Sequence, residues 1–273
     1  MHPMLNIGIR AARAAGKVIT QNVDRFDPKT IEKKQRNDFV TEIDRKAETE
    51  IVNTLQRSYP DHAFLCEESG LIGDETAEYR WIIDPLDGTT NFIHGLPHFS
   101  VSIALMQKNR LFQAVVYDPM RQELFTAGKG EGAFLDSKRL RVGTTNHLEN
   151  ALLSCGFPYR DGQDLDFFQR TTRHYTERAG GVRRLGSAAL DLAYVAAGRI
   201  DGCWLTGLQS WDMAAGGLIV REAGGLLNDF DGGDDWMDKG EVIAASPKIH
   251  HQMLEVMKPL SAARRNLPAR KPV

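Results

Sequence analysis

Residues 81–92 read WIIDPLDGTTNF. An apolar run, Trp81 to Ile83, ends directly in Asp84. Pro85 stiffens the backbone behind it, Asp87 follows three residues after Asp84, and Gly88 removes a side chain where something must approach closely. Thr89 and Thr90 then offer hydroxyls and backbone N–H groups at the expected start of a short helix. The first N–H groups of a helix lack intrahelical partners and suit an anion. Asp-Pro or Asp-Gly alone is an ordinary turn signal. The whole string is more demanding, because two carboxylates beside an anion cradle are compatible only when cations lie between them. Hard divalent ions with oxygen ligands, Mg²⁺ first, fit that chemistry.

Other acids end elements in the same way. Glu67-Glu68 follows a short apolar strand, Ala63 to Cys66. Asp212, in WDMAAG at 211–216, opens an apolar helix, where Asp is also a good N-cap. Asp44, in TEID at 41–44, can close a capping box with Thr41. Each has an ordinary structural explanation by itself, whereas four acidic strand or helix ends in one chain favour a shared metal site.

The elements between them alternate. Residues 4–22 have the spacing of an amphipathic helix, with Leu5, Ile9, Ala12 and Ile19 on one face. Residues 24–38 read as a polar loop, and a second helix begins near Thr41 and stops before Tyr59-Pro60. Ser100–Met106, Arg110–Tyr117 and Glu123–Ala127 are expected strands, with a turn at Asp118-Pro119 and a tight hairpin at Asp136-Ser137. From Leu152 onward strands and helices alternate: strands at 152–155, 182–185, 202–205, 226–228 and 242–245, helices at 164–178, 187–197, 211–222 and 249–259. The pattern is layered α/β or α+β. The last ten residues carry Arg264, Arg265, Arg270 and Lys271 and read as a loose tail.

Composition excludes several function classes. Lys plus Arg number 34 against 36 Asp plus Glu, a net charge of −2, so the chain lacks the basic excess of a protein that coats nucleic acid. The longest charge-free stretch, Gly88 to Gln107, is long enough to span a bilayer but contains Asn91, His94, Gly95, Pro97 and His98, and so reads as loop and strand. Arg10 and Arg13 interrupt any signal-peptide core at the N-terminus. Cys66, Cys155 and Cys203 are odd in number and far apart, which argues for free thiols in a cytoplasmic compartment. His94 and His98 are separated by Gly95 and Pro97, which break the helix that would align them on a metal. The basic segments Arg183-Arg184 and Lys138–Arg141 read as solvated faces.

WIIDPLDGTTNF resembles the first signature of the inositol monophosphatase family of Mg²⁺-dependent, lithium-sensitive phosphatases, and WDMAAGGLIVREAGG at 211–225 resembles its second. EES at 67–69, TEID at 41–44 and GSAALDLAYVAAG at 186–198 also resemble family segments, in the family order. The resemblance covers about residues 4–260, and MHPMLNI with the overall pattern is most similar to the bacterial SuhB-type branch. It implies a five-layer α/β/α/β/α sandwich in one catalytic domain over residues 4–262, a flexible basic tail at 263–273, and usually a homodimer. It further implies that Glu67, Asp84, the Leu86 carbonyl, Asp87 and Asp212 bind two or three Mg²⁺ ions, and that Asp44 and Thr89 orient the attacking water. Gly88 and Thr89 fall on the phosphate cradle. Arg183, Gly186, Ser187 and Ala188 fall on the substrate side, with Leu86, Asp87 and Asp212 beside the substrate as well. The implied substrate is a small phosphomonoester such as inositol 1-phosphate. A sugar bisphosphatase or a nucleotide 3′-phosphatase on the same scaffold is the alternative chemistry, and Thr90 after Asp-Gly-Thr favours the inositol-phosphate type. The SuhB-type branch also implies a regulatory alternative, transcription antitermination through contacts with RNA polymerase, elongation factors and RNA.

Two positions depart from the family pattern. Cys66 stands where a Gly usually precedes the Glu-Glu pair, a small change. Leu205 stands seven residues before Asp212, where the family often has a Glu that contacts inositol hydroxyls. An apolar side chain cannot accept those hydrogen bonds.

Overall fold

The structure is a computed structural model that describes residues 2–23, 32–35, 38–156 and 164–265. Helix α1 (Pro3–Asn22) starts with Pro at its first position and with His2 Nδ1 accepting the Met4 N–H at 3.2 Å. Strands β1 (Glu32–Gln35) and β2 (Asp38–Val40) pair antiparallel, and helix α2 (Glu42–Ser58) follows, capped by Thr41.

The first large sheet takes β3 (Ala63–Cys66), β4 (Gly70–Ile72) and β5 (Tyr79–Asp87), then, after the short helix α3 (Thr89–Ile93), β6 (Ser100–Gln107), β7 (Arg110–Asp118), β8 (Glu123–Gly128), β9 (Gly132–Leu135) and β10 (Lys138–Arg139). Its spatial order is β10-β9-β8-β7-β6-β5-β3-β4. The only parallel pair in it is β3 with β5 among the described residues. The second half supplies β11 (Leu152–Cys155), α4 (Leu165–Thr176), β12 (Gly181–Arg183), α5 (Ala188–Ala196), β13 (Gly202–Thr206), α6 (Ser210–Glu222), β14 (Leu226–Asn228), α7 (Trp236–Lys239), β15 (Glu241–Ala245) and α8 (Pro247–Arg265). The second sheet is ordered β12-β11-β13-β15-β14.

Strand parity sorts the side chains into layers. Along β5, Trp81 and Ile83 face Leu5, Ala12 and Ile51 of α1 and α2. Ile82, between them, faces the opposite way into a core shared with Leu190 of α5 and Ile219 of α6. That same core takes Cys203 and Ala244 from the second sheet. The alternate residues Trp204 and Ile243 turn outward to Phe167 of α4 and Met253 of α8. The stacking is therefore helices, sheet, helices, sheet, helices, as the resemblance implied. Helix α6 is buried along most of its length. It approaches α5 closely because Gly216 has no side chain: a Cβ there would stand 2.6 Å from the Leu192 Cβ.

Residues 24–38 differ from the expected polar loop where they are described, since Glu32–Gln35 pairs with Asp38–Val40. The sequence EKKQ has no apolar alternation to announce a strand, and the pairing rests on backbone hydrogen bonds. The rest of that segment lies outside the described residues. The closing helix is longer than expected and passes through Pro259 to Arg265. Arg264 pairs there with Glu241 and Asp164, so the tail boundary expected at 263 falls inside a helix. Residues 266–273, with Arg270 and Lys271, lie outside the described residues. No helix among the described residues is long and apolar enough to cross a membrane.

His250 sits buried on α8, and its Nε2 has no hydrogen-bond partner among the described residues. Burial, with His251 and Lys258 nearby, pushes its pKa down to about 4. Unfolded chains then bind a proton that the folded protein refuses between about pH 6.5 and pH 4. This contribution to stability is complete above the unfolded value and is lost as pH falls through that window. Urea unfolding at pH 7.5 and pH 5 is expected to show a smaller acid loss in His250→Gln than in the wild type; equal losses would exclude this residue as a source.

Candidate metal centre

In a regular strand, residues three apart face opposite sides of the sheet. Asp84 and Asp87 escape this because β5 bulges between them: Asp84 is opposite Ser102 and Asp87 opposite Ser100 on β6. Three residues on one strand match two on the other, which returns both carboxylates to one side. Pro85 sits inside the bulge, where a missing N–H is tolerated, and Leu86 N–H donates to Asp84 Oδ1 at 3.0 Å. Gly88 then takes φ +101°, and a Cβ there would lie 3.2 Å from the carbonyl oxygens of both Gly186 and His98. The position needs glycine for its backbone angle and for space.

Asp212 reaches the same place from another layer. It is the third residue of α6, not its N-cap, and its Oδ2 accepts the Gln209 N–H at 2.6 Å. Asp84, Asp87 and Asp212 are 2%, 8% and 8% exposed, and one carboxylate oxygen from each lies within 4.8 Å of the others. Glu67, just past β3, lines the same cavity, and its carboxyl contacts that of Asp84. Burial, then the charges of Glu67, Asp87 and Asp212, push the Asp84 pKa well above the usual carboxylate range. Burial raises Asp87 as well, against the opposing effect of the donors that hold it: Ser187 Oγ at 2.5 Å, Ala189 N at 2.8 Å and Ala188 N at 3.2 Å. Those donors are the N-terminus of α5, a favourable seat for a carboxylate. A cluster of hard oxygen donors with surplus buried charge is a suitable seat for a hard divalent cation.

Asp44 divides its two oxygens between structure and site. Oδ2 accepts the Thr41 N–H at 2.8 Å and the Thr41 hydroxyl at 2.5 Å, which completes the capping box of α2. Oδ1 stands 3.0 Å from the Thr89 hydroxyl, which also lies 3.1 Å from the Leu86 carbonyl oxygen. Burial raises the Asp44 pKa to about 6, with the hydrogen bonds from Thr41 and Thr89 working against it and the Glu68 charge adding to it.

A cavity of about 400 Å³ gathers most of the residues expected from sequence: Glu67, Asp84, Leu86, Asp87, Gly88, Thr89, Gly186, Ser187, Ala188 and Asp212. Asp44 lies behind Thr89. Arg183 is not in the cavity; it is exposed, and its guanidinium donates to the neighbouring Val182 carbonyl. Its neighbour Arg184, just past the end of β12, lines the cavity instead. Leu205 and Thr206 form part of the wall at the end of β13. His94 is at the cavity while His98 packs edge-on against Tyr194, so the two do not form a metal pair. Two buried acids escaped the sequence reading. Asp191 on α5 lines the cavity, and Glu48 on α2 holds the turn at Glu68-Ser69. Glu48, four residues after Asp44, and Asp191, inside GSAALDLAYVAAG, carry no local mark that separates them from other acids on a helix.

Asp84→Asn keeps the Oδ1 acceptor used by Leu86 and removes one ionisable carboxyl from the cluster. Without divalent cations its Tm is expected to exceed that of the wild type, by about 2–4 °C for each kcal/mol of repulsion relieved. The added stabilisation by Mg²⁺ is expected to shrink. Thermal melts in EDTA and in Mg²⁺ check both; a lower Tm in EDTA would contradict the repulsion.

The inositol monophosphatase family profile matches residues 1–261. A Pseudomonas aeruginosa protein named Nus factor SuhB is 52% identical over 263 residues, 95% of this chain and 97% of that one. The crystal structure of extragenic suppressor protein suhB from Bartonella henselae superposes with a TM-score of 0.90 at 42% identity, covering 94% of this chain and 99% of the other. The inositol monophosphatase of an Anabaena (Nostoc) species gives 0.80 at 36% identity, covering 97% and 96%. This chain belongs to the inositol monophosphatase family.

Proposed function

We propose that this protein is a Mg²⁺-dependent phosphomonoesterase that hydrolyses inositol 1-phosphate or a similar small polyol phosphate. The observation that carries the reading is the buried cluster of Asp84, Asp87 and Asp212 in a cavity also lined by Thr89, whose hydroxyl is held from behind by Asp44. Glu67, Asp84, the Leu86 carbonyl, Asp87 and Asp212 would hold two or three Mg²⁺ ions. Bound there, the ions would neutralise phosphate charge, acidify water and stabilise the leaving alkoxide. As a carboxylate, Asp44 accepts the hydrogen bond of the Thr89 hydroxyl at 3.0 Å. The lone pairs of Thr89 Oγ1 are then available to a water O–H, which holds that water oxygen toward phosphorus. Backbone N–H groups at Gly88 and Thr89, which line the cavity, would cradle the phosphate. No covalent phosphoenzyme is needed. In solution the protein is read as a cytoplasmic homodimer, and light scattering on the purified chain tests its mass.

Phosphate release from a panel of esters, with and without Mg²⁺, tests the reading; a panel including fructose 1,6-bisphosphate and a nucleotide 3′-phosphate separates the related chemistries. Asp84→Asn is expected to lower kcat by at least about 10²-fold, the scale of losing a preorganised charge. Thr89→Ala and Asp44→Asn are expected to lower kcat far more than they raise KM, since both act on the attacking water. A change mainly in KM would remove that role.

Leu205 is expected to flatten selectivity. The wild type should turn over several small phosphomonoesters with comparable kcat/KM. Leu205→Glu should raise the ratio for inositol 1-phosphate over glycerol 2-phosphate several-fold, the value of a hydrogen bond worth about 0.5–1.5 kcal/mol. Thr206, in the same wall, offers a hydroxyl and limits the gain. A wild type already strongly selective for inositol 1-phosphate, with the ratio unchanged in the variant, would place selectivity elsewhere.

A second reading follows from the Pseudomonas aeruginosa relative, which is named a Nus factor. It assigns this chain a role in transcription through RNA polymerase, elongation factors and RNA. Binding of the purified protein to a reconstituted transcription complex tests it, and Asp84→Asn, expected to be strongly impaired as a phosphatase, separates the two roles.

A further inference from the structure

Helix α2 touches the site twice. Asp44 and Glu48 lie four residues apart and so share one face of the helix. Asp44 meets Thr89. Glu48, only 2% exposed, takes three hydrogen bonds from the turn between β3 and β4. Its Oε2 accepts the Glu68 N–H at 2.8 Å, and its Oε1 accepts the Ser69 N–H at 2.9 Å and the Ser69 hydroxyl at 2.5 Å. The first residue of that turn is Glu67. Its own N–H donates to the Ile83 carbonyl at 3.1 Å, which ties the turn to β5 one residue before Asp84. The turn is thus fixed on one side by β5 and on the other by a buried carboxylate from α2, and Glu67 enters the cavity between these two anchors.

We propose that Glu48 is a positioning residue for the cation site: by clamping the Glu67–Ser69 turn, it aims the Glu67 carboxylate at Asp84, Asp87 and Asp212. This rests on Glu67 serving as a cation ligand. A carboxylate suits the task because all three groups that face it are donors, and it is acceptor-only when ionised. Glutamine in its place presents an NH₂ to one of those donors, so at least one of the three bonds is lost and the turn loosens while the helix is unchanged.

The test is Mn²⁺ binding to the full-length protein, read by electron paramagnetic resonance of free Mn²⁺, together with the Mg²⁺ concentration that half-activates phosphate release. Glu48→Gln is expected to weaken Mn²⁺ binding about 10-fold, the lower end of what residues orienting metal ligands contribute. Half-activating Mg²⁺ should rise by a similar factor, with kcat at saturating Mg²⁺ within about two-fold of wild type. Ser69→Ala removes one donor only and should shift binding the same way by less. Glu67→Ala sets the largest loss, and Glu48→Gln combined with Glu67→Ala should bind Mn²⁺ no more weakly than Glu67→Ala alone, since Glu48 acts through Glu67. Unchanged Mn²⁺ affinity in Glu48→Gln, or losses that add in the double variant, would overturn the proposal. Mn²⁺ binding is read without substrate, so a wild type that releases no phosphate would defeat the phosphatase reading and leave this result standing on its own.

Discussion

Crowded negative charge is the constraint around which this molecule is arranged. Asp84, Asp87 and Asp212 are buried within reach of one another, and burying an uncompensated charge is expensive. The chain offsets part of that cost with helix N-termini. Asp87 is seated on the first N–H groups of α5, Asp212 lies in the first turn of α6 and Asp44 in the first turn of α2. Each receives backbone hydrogen bonds where the helix dipole favours an anion. The residual repulsion at Asp84 is the part the protein leaves for a cation to neutralise.

The layered fold is what brings those helix starts together. Helix α2 belongs to the outer layer, α5 and α6 to the layer between the sheets, and β5 to the sheet between them. Residues from 44 to 212 therefore meet at one end of β5. The hydrogen bond from Ser187 to Asp87 joins positions 100 apart in the sequence and fastens the second half of the chain to the first. Substitutions at these contacts should couple site geometry to packing between layers, because the same groups serve both.

Much of this was legible in the sequence, for physical reasons. The apolar run before Asp84, the Gly after Asp87 and the Thr–Asp capping pair at 41–44 are local signals, and all three act locally in the structure. Helices and strands with clear apolar spacing were placed within a few residues. What was not legible depends on distant partners. The bulge that aligns Asp84 with Asp87 is a matter of register against β6. That Arg184, and not Arg183, reaches the cavity depends on how the chain leaves β12, which no local signal announces. Glu48 looks like any charged residue on a helix until the Glu68-Ser69 turn packs over it. The strand Glu32–Gln35 has no apolar pattern at all.

The divided use of Asp44 has a kinetic consequence. Helix ends fray, opening and closing their first turn at little cost. In most helices such opening is harmless. Here the first turn of α2 is closed by one oxygen of the carboxylate whose other oxygen faces Thr89. When that turn opens, Thr41 releases Asp44 and the aspartate can swing away from Thr89. The fraction of molecules with a closed first turn is then a ceiling on the fraction with an intact Asp44–Thr89 pair. Local opening of this buried helix end, short of global unfolding, becomes a rheostat on the site.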